Sequence, residues 1–323
     1  MRRTRRRSRD RAQSAASAVV ALAVVALAAC TTGTGTYPST NPATGSLPAA
    51  ATPGPDALKI VTTTTVFADI VRNVGGSRVS VSSIIPPGVG PEDYEPKPED
   101  ARKLADATLI VSNGVGLDDF LDKLLTSGGG SQAPRVVLGD GIPTIDIDGE
   151  PNPHFWLDPT LVKQYYLPSI ATKLKELDPS GAATYDANVA SYAASLDALD
   201  DQLKAKVAAI PAANRKLVTF HDAFPYFARH FGFELVGVIL QNVGQEPTAA
   251  ELAHLIEKVK AAHVKAVFSE SQFSPKLTQT LAQEAGITSV VTSLYNDALG
   301  PAPADTYVGL MTWNVDQIVA ALR

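Results

Sequence analysis

The sequence predicts an α/β protein of two Rossmann-like lobes with parallel central sheets, joined by one long rigid backbone helix. Three observations carry this expectation. Strand-like and helix-like segments alternate over residues 58–111 and again over 217–292, the order expected of parallel strands joined by crossover helices. Between the two, from Pro179 to Ile210, Gly181 is the only helix breaker. Within that stretch Tyr185, Val189, Tyr192, Leu196, Leu199, Leu203 and Val207 are spaced by three and four, so they share one face of a helix.

Taken in order, residues 58–61 give a β-branched strand, and 66–74 an amphipathic helix stopped by Gly75 and Gly76. A strand at 79–85 leads into a Pro/Gly loop, then a helix at 98–107 and a strand at 109–111. A helix near 161–177 precedes the long one, which at 1.5 Å per residue would run roughly 40 Å, the size of a whole domain. The second half repeats the plan, without a repeat in sequence, through strands at 217–220, 234–239, 266–269 and 289–292. Its helices are expected at 223–231, 248–262, 275–285 and 305–322. The expected lobes are therefore 58–160 and 213–323, with linking helices over 161–212.

The first sixty residues read differently. Seven arginines within Met1 to Arg11 precede an almost uncharged apolar run over 12–29, the layout of a secretory signal peptide. The run ends in Leu27, Ala28, Ala29 and Cys30, the sole cysteine, which matches a bacterial lipobox. There the thiol receives a diacylglycerol, and small flanking side chains admit the peptidase. An uncleaved anchor is the rival, since about eighteen apolar residues approach the roughly twenty needed to span a bilayer; the lipobox favours cleavage after residue 29. Residues 30–57 then comprise the lipidated Cys30 and a flexible tether rich in Thr, Gly, Ser, Pro and Ala, too poor in large apolar side chains to offset its ordering entropy. The expected location is the outer face of the bacterial cytoplasmic membrane.

Removing residues 1–29 takes seven Arg and one Asp from the 28 basic and 33 acidic side chains, leaving 21 and 32 and a formal charge of −11. Such a body is a poor partner for nucleic acid and a reasonable collector of cations. No cysteine remains for disulfides or thiolate sites, so any metal must be held by nitrogen and oxygen.

Five histidines are available. His154 stands in a proline-framed loop from Pro151 to Pro159, and His221 directly follows a predicted strand, in the crevice position of an open α/β sheet. His230, His254 and His263 are expected on solvated faces. Two acidic loops also follow strands: Pro91, Glu92, Asp93, Tyr94, Glu95, Pro96, and later Tyr295, Asn296, Asp297, Ala298, Leu299, Gly300.

In this order, the Pro-x-x-Tyr-Glu-Pro loop, the Pro-His-x-Trp-Leu-Asp-Pro loop, the strand entering His-Asp-Ala-Phe-Pro-Tyr-Phe and the late Tyr-x-Asp-x-Leu-Gly loop resemble the zinc- and manganese-binding lipoproteins of ABC importers. The likeness spans residues 58–322. It implies a single divalent ion, zinc or manganese, held in the interlobe cleft by two side chains from each lobe, with the liganded protein handing its cargo to an ABC permease and its ATPase. Carried over by position, the implied ligands are His154, His221 and Asp297, with Glu92 where the family usually has a histidine. Asp93 and Glu95 are alternative donors in that loop. Two imidazoles and two carboxylates would balance a divalent charge, and His221 in the third position leans towards zinc. Binding should weaken below about pH 6, because both imidazoles must be neutral to coordinate.

Two rival functions have weaker support. A metallohydrolase would need a general base, and Asp222 is the only obvious candidate, more simply explained as a helix cap; no HExxH motif is present. A binder of haem or a metal chelate would need an aromatic lining, but core packing accounts for Phe155, Trp156 and Phe224. The expected protein is a monomer and not an enzyme.

Overall fold

The computed structural model describes residues 52–91, 94–127, 131–147, 149–240 and 245–323. The signal peptide, Cys30 and nearly all of the tether lie outside the described residues. Among those described, no helix is long and apolar enough to cross a membrane.

The first half is built on a four-stranded parallel sheet. Strand β1 (Leu58–Thr62) leads into helix α1 (Thr65–Gly75) and β2 (Val79–Ser83), followed by α2 (Pro98–Ala105), β3 (Leu109–Ser112), α3 (Phe120–Ser127) and β4 (Arg135–Val137). The order is β2-β1-β3-β4, in parallel register throughout. Helix α1 forms because Val66, Phe67, Ile70, Val71 and Val74 recur at helical spacing and are all buried; Gly76, at φ 57°, ends it where a side chain would be strained. The sequence missed α3, β4 and a short antiparallel hairpin, β5 (Asp146–Ile147) with β6 (Glu150–Pro151). Strands of two or three residues carry too few alternations to register as a pattern.

After the hairpin the chain makes a tight turn at Phe155–Leu157 and enters a helix that begins as Pro159–Leu161 (α4), loosens into a π turn at Val162–Tyr166, and continues as Leu167–Leu177 (α5). The long helix α6 (Ala182–Ala208) follows a separate turn at Pro179–Gly181. Its 27 residues span roughly 40 Å at 1.5 Å each, as expected. Tyr185, Tyr192, Leu196, Leu199, Leu203 and Val207 are buried along it, while Val189 is only half-buried. Each fully buried large apolar side chain contributes about 1.5–3 kcal/mol. The stripe packs on α1 and α5 and also on α10 (Tyr307–Leu322), so one helix braces both halves.

The second half runs β7 (Lys216–His221), α7 (Pro225–Phe231), β8 (Glu234–Leu240), α8 (Ala249–Ala261), β9 (Ala266–Glu270), α9 (Lys276–Ala285), β10 (Ser289–Leu294) and α10. Strands β7 and β8 pair in parallel, as do β9 and β10. Strands β7 and β9 lie alongside each other without a ladder between them. A single apolar cluster runs from Ile60 and Phe67 through Trp156, Tyr166 and the α6 stripe to Phe227, Tyr307 and Leu322, and the described residues belong to one compact unit. Because the core is shared, loops from both halves are anchored against the same buried framework.

Candidate metal centre

Three of the predicted ligands arrive on different elements. His154 opens the turn Phe155–Leu157, whose three side chains are wholly buried and so pin the loop to the core. His221 is the last residue of β7, and Asp297 stands three residues beyond the end of β10. All three are buried, at 4%, 2% and 0% exposure. One donor atom from each can be chosen so that all lie within 4.8 Å of one another, the spacing of a metal cluster. His154 Nε2 is 3.5 Å from Asp297 Oδ1, and His221 Nε2 is 3.7 Å from Asp297 Oδ2. The two rings meet edge to face with centroids 5.3 Å apart.

The fourth predicted ligand, Glu92, lies outside the described residues with Asp93. The loop that carries them is tied down on its far side: Tyr94 Oη donates to Asp100 Oδ2 at 2.7 Å, and the Lys97 amide donates to the same oxygen at 2.8 Å.

Neighbouring side chains orient these donors. Asn152 Nδ2 donates to the Asp222 carbonyl at 2.6 Å, so its Oδ1 is the atom that faces His154, accepting from the backbone amide and standing 3.1 Å from Nδ1. His154 Nδ1 is thereby the protonated nitrogen, and Nε2 presents its lone pair towards Asp297. Asp297 Oδ2 accepts from Gln272 Nε2 at 2.7 Å, whereas Oδ1 accepts no hydrogen bond among the described residues. Burial pushes the Asp297 carboxyl above its ordinary value, opposed by the His221 charge and the Gln272 hydrogen bond. A buried carboxylate with an open oxygen beside two imidazoles is costly to keep in a plain core, at about 1–3 kcal/mol for the unsatisfied group, and is what a divalent cation would satisfy.

Across the centre, Trp156 Nε1 donates to the Asn296 carbonyl at 2.8 Å, and Tyr307 Oη donates to the Trp156 carbonyl at 2.6 Å. Tyr226 Oη donates to the Asn152 carbonyl at 2.9 Å and accepts from the Ile145 amide at 2.9 Å. Phe155, Trp156 and Phe224 are fully buried, as core packing requires.

Family membership is decided by comparison with known proteins. Residues 60–321 match the family model described as zinc-uptake complex component A, periplasmic. The chain belongs to this zinc-uptake component A family. Its similarity to the manganese-binding lipoprotein MntA of Halalkalibacterium halodurans is 33% identity over 270 residues, covering 83% of this chain and 89% of that one. The iron ABC transporter substrate-binding lipoprotein MtsA of Streptococcus pyogenes serotype M1 is 31% identical over 279 residues, with the same coverages. Among solved structures, the periplasmic zinc-binding protein TroA from Treponema pallidum superposes with a TM-score of 0.75 at 31% identity, covering 82% of this chain and 99% of that one. The α/β architecture with parallel central sheets is thus that of the zinc-uptake component A family, and the family is one of substrate-binding proteins and not of enzymes.

Within this family member, sequence reasoning missed four residues of the centre. Asn152, Gln272 and Asn296 are neutral amides whose role is visible only once the loops fold together. Glu270 carried a signal: it is a lone acid closing the otherwise uncharged strand β9, in the same strand-end position as His221, and it is wholly buried. Two expectations are corrected. His230 does not sit on a solvated face; its side chain is about 10% exposed, with Nε2 2.6 Å from Asp200 Oδ1 and Nδ1 3.3 Å from Asp158 Oδ1. The run of neighbouring Arg229 and His230 suggested solvent, but helix α7 turns His230 towards α6 and the start of α4. His254 and His263 are exposed. Asp222 is not a cap, since Phe224 occupies the N-cap position of α7.

Proposed function

We propose that this chain is an extracytoplasmic solute-binding lipoprotein that captures one divalent zinc or manganese ion between its two halves and delivers it to an ABC permease driven by a cytoplasmic ATPase. The observation that carries the proposal is the convergence of His154, His221 and Asp297, from two loops and a strand end far apart in sequence, on one buried point. Glu92 is the fourth ligand in this reading, with Asp93 and Glu95 as substitutes. Two imidazoles and two carboxylates neutralise a divalent charge. Four single donors suit tetrahedral zinc, and a carboxylate that binds through both oxygens raises the coordination number towards what manganese prefers. Relatives named for manganese, iron and zinc support a cargo in this group of ions.

The proposed organisation assigns residues 1–29 to a signal peptide, Cys30 to the lipid anchor on the outer face of the cytoplasmic membrane, 30–57 to the tether, 58–160 and 213–323 to the lobes, and 161–212 to the linking helices. The protein acts as a monomer. Hydrolysis has no support from the family. Elemental analysis of the full chain after equilibration with competing Zn²⁺ and Mn²⁺ tests the cargo, with Ala substituted singly at Glu92, His154, His221 and Asp297. Each substitution should weaken binding; a Glu92→Ala protein with parental affinity moves the fourth ligand to another residue, and parental affinity in all four refutes the site.

A further inference from the structure

We infer that Glu270 is the positioning residue of the metal centre, holding His221 in the tautomer that leaves its Nε2 lone pair facing the ion. The inference deepens the proposed function and rests on His221 being a ligand.

The orientation of the Asn296 side-chain amide reveals the His221 tautomer. Asn296 Oδ1 lies 2.7 Å from the Asp297 backbone nitrogen, which can only donate, so this atom is the oxygen and cannot be exchanged with the nitrogen. Gln272 Nε2, 3.4 Å from the same oxygen, agrees. The other arm of the amide, Nδ2, must then be the group 3.1 Å from His221 Nε2. An amide nitrogen offers only protons, so Nε2 accepts and bears the lone pair. In the neutral ring the proton therefore sits on Nδ1.

Nδ1 points at Glu270. The distance to Oε1 is 3.2 Å, an ion-pair contact whose alignment falls short of a good hydrogen bond. Neither carboxyl oxygen of Glu270 has a hydrogen-bond partner among the described residues, and the side chain is 0% exposed. Its backbone is fixed by β9 and by the Phe273 amide donating to its carbonyl at 3.2 Å. A wholly buried carboxyl is not kept without a task. Its ionic neighbour among the described residues is the back of a proposed ligand. A carboxyl behind a metal-binding imidazole sets the tautomer, restrains the ring and raises its basicity. His154 has an amide in the equivalent place, Asn152, so the two histidines are held by different chemistry. Asn296 adds a consequence: its N–H occupies the lone pair that the ion needs, so loading must displace this amide while Glu270 keeps the ring in place.

The test is ¹⁵N-histidine NMR of the metal-free full chain at a pH where the rings are neutral, the His221 signals being assigned by their loss in His221→Ala. The expected result is a pyrrole-type Nδ1 and a pyridine-type Nε2 for His221, the reverse of the tautomer that dominates for free histidine in water. Glu270→Leu, which removes the acceptor, should mix the tautomers and weaken Zn²⁺ binding about 10- to 100-fold. Glu270→Gln, which keeps an acceptor oxygen, should retain the tautomer and lose less than Glu270→Leu. A pyrrole-type Nε2 in the parent chain, or unchanged tautomer and affinity in Glu270→Leu, overturns the inference. The parent measurement needs no variant to fold. Full Zn²⁺ affinity in His221→Ala would instead overturn the ligand assignment, while the tautomer result would stand by itself.

Discussion

Asp297→Asn separates a metal ligand from a structural acid, because its two consequences have opposite signs. The carboxyl lies between His154 Nε2 at 3.5 Å and His221 Nε2 at 3.7 Å, wholly buried, with one oxygen bonded to Gln272 and the other without a hydrogen bond among the described residues. Asparagine has the same shape. Its Oδ1 can accept from Gln272 while Nδ2 donates to the His154 lone pair, so the metal-free variant satisfies every polar atom it presents. Burial already disfavours the charged form in the parent, and removing that charge should stabilise the metal-free protein by about 1 kcal/mol, roughly 2–4 °C in Tm for a domain of this size. Metal binding should move the other way. Deleting one partner of a buried charge pair costs about 3–5 kcal/mol, or roughly 100- to 4,000-fold in Kd. Chelator competition gives the affinity and calorimetric unfolding with and without Zn²⁺ gives the stabilities. An affinity loss below tenfold, or a metal-free Tm that falls, would refute the assignment of Asp297 as a buried ligand.

Three further outcomes are expected from the same geometry. Acidification should shrink the Tm increment that metal confers: the raised Asp297 value means the fold holds its proton more tightly than the unfolded chain does, so this group favours the metal-free fold at low pH and opposes it as pH rises, whereas the ion binds only the anion. A metal-dependent increment that stays constant from neutral pH to pH about 5 would contradict ligation by this carboxylate and two neutral imidazoles. Asn152→Ala removes the acceptor behind His154 and the tie to Asp222, and should weaken binding about 10- to 100-fold in a chelator titration while the metal-loaded spectrum of the other ligands persists. His230→Leu strips a partner from Asp200, a carboxyl that burial would raise but that Lys204 and His230 together hold below its ordinary value. The stability from this depressed value is present above the ordinary carboxylate range and lost as pH falls through the folded value, so the variant should lose about 1–3 kcal/mol near neutral pH and less in acid, measured by urea unfolding.

How much of this was legible in the sequence depends on the length scale of each pattern. Helix α6 was readable because seven apolar residues keep one phase over the whole stretch, and the structure shortens it at Pro179–Gly181, where a separate turn forms, and by two residues at its end, where it stops at Ala208. Strand β2 ends at Ser83 and not at residue 85: the Ile84 and Ile85 amides still donate to the Thr62 and Thr63 carbonyls, but the ladder stops where β1 ends, and both side chains are buried in an apolar cluster with Val61 and Leu121. Apolar content alone does not distinguish a paired residue from one that is merely buried. At the centre, His154 stood out in its proline-framed loop and His221 directly after a strand, the family resemblance supplied Asp297 as their partner, and the structure brings those three together. The amides could not be found this way. Asn152 and Gln272 stand in loops where amides are ordinary turn residues, and their importance comes from partners dozens of residues away, Asp222 and Asp297. His230 misled for the opposite reason: its charged neighbour is exposed, but one step round the helix points inward.

The arrangement of ties around the centre bears on how an ion would leave. Two of the proposed ligand loops are fastened to elements of the opposite half: the His154 loop through Asn152 to Asp222 and through Tyr226, and the Asp297 loop through Asn296 to Trp156 and through the Leu299 amide to Thr65 Oγ1. Tyr307 then closes onto Trp156 from α10. These five hydrogen bonds, three of them fully buried, at about 0.5–1.5 kcal/mol each and over a shared apolar core, resist separation of the halves as rigid bodies. Local motion of one loop breaks fewer of them. Asp297 is the ligand whose side chain can move at least cost, because its direct hold is a single bond from Gln272, whereas its loop is joined to the first half through both the Asn296 carbonyl and the Leu299 amide, which donates to Thr65 Oγ1 at 2.8 Å. His154, by contrast, is fixed through its backbone amide, its ring and three buried aromatic or aliphatic residues behind it. Release from this centre is therefore expected to begin with rotation of the Asp297 side chain away from Gln272, with the two histidines left in place to receive the next ion.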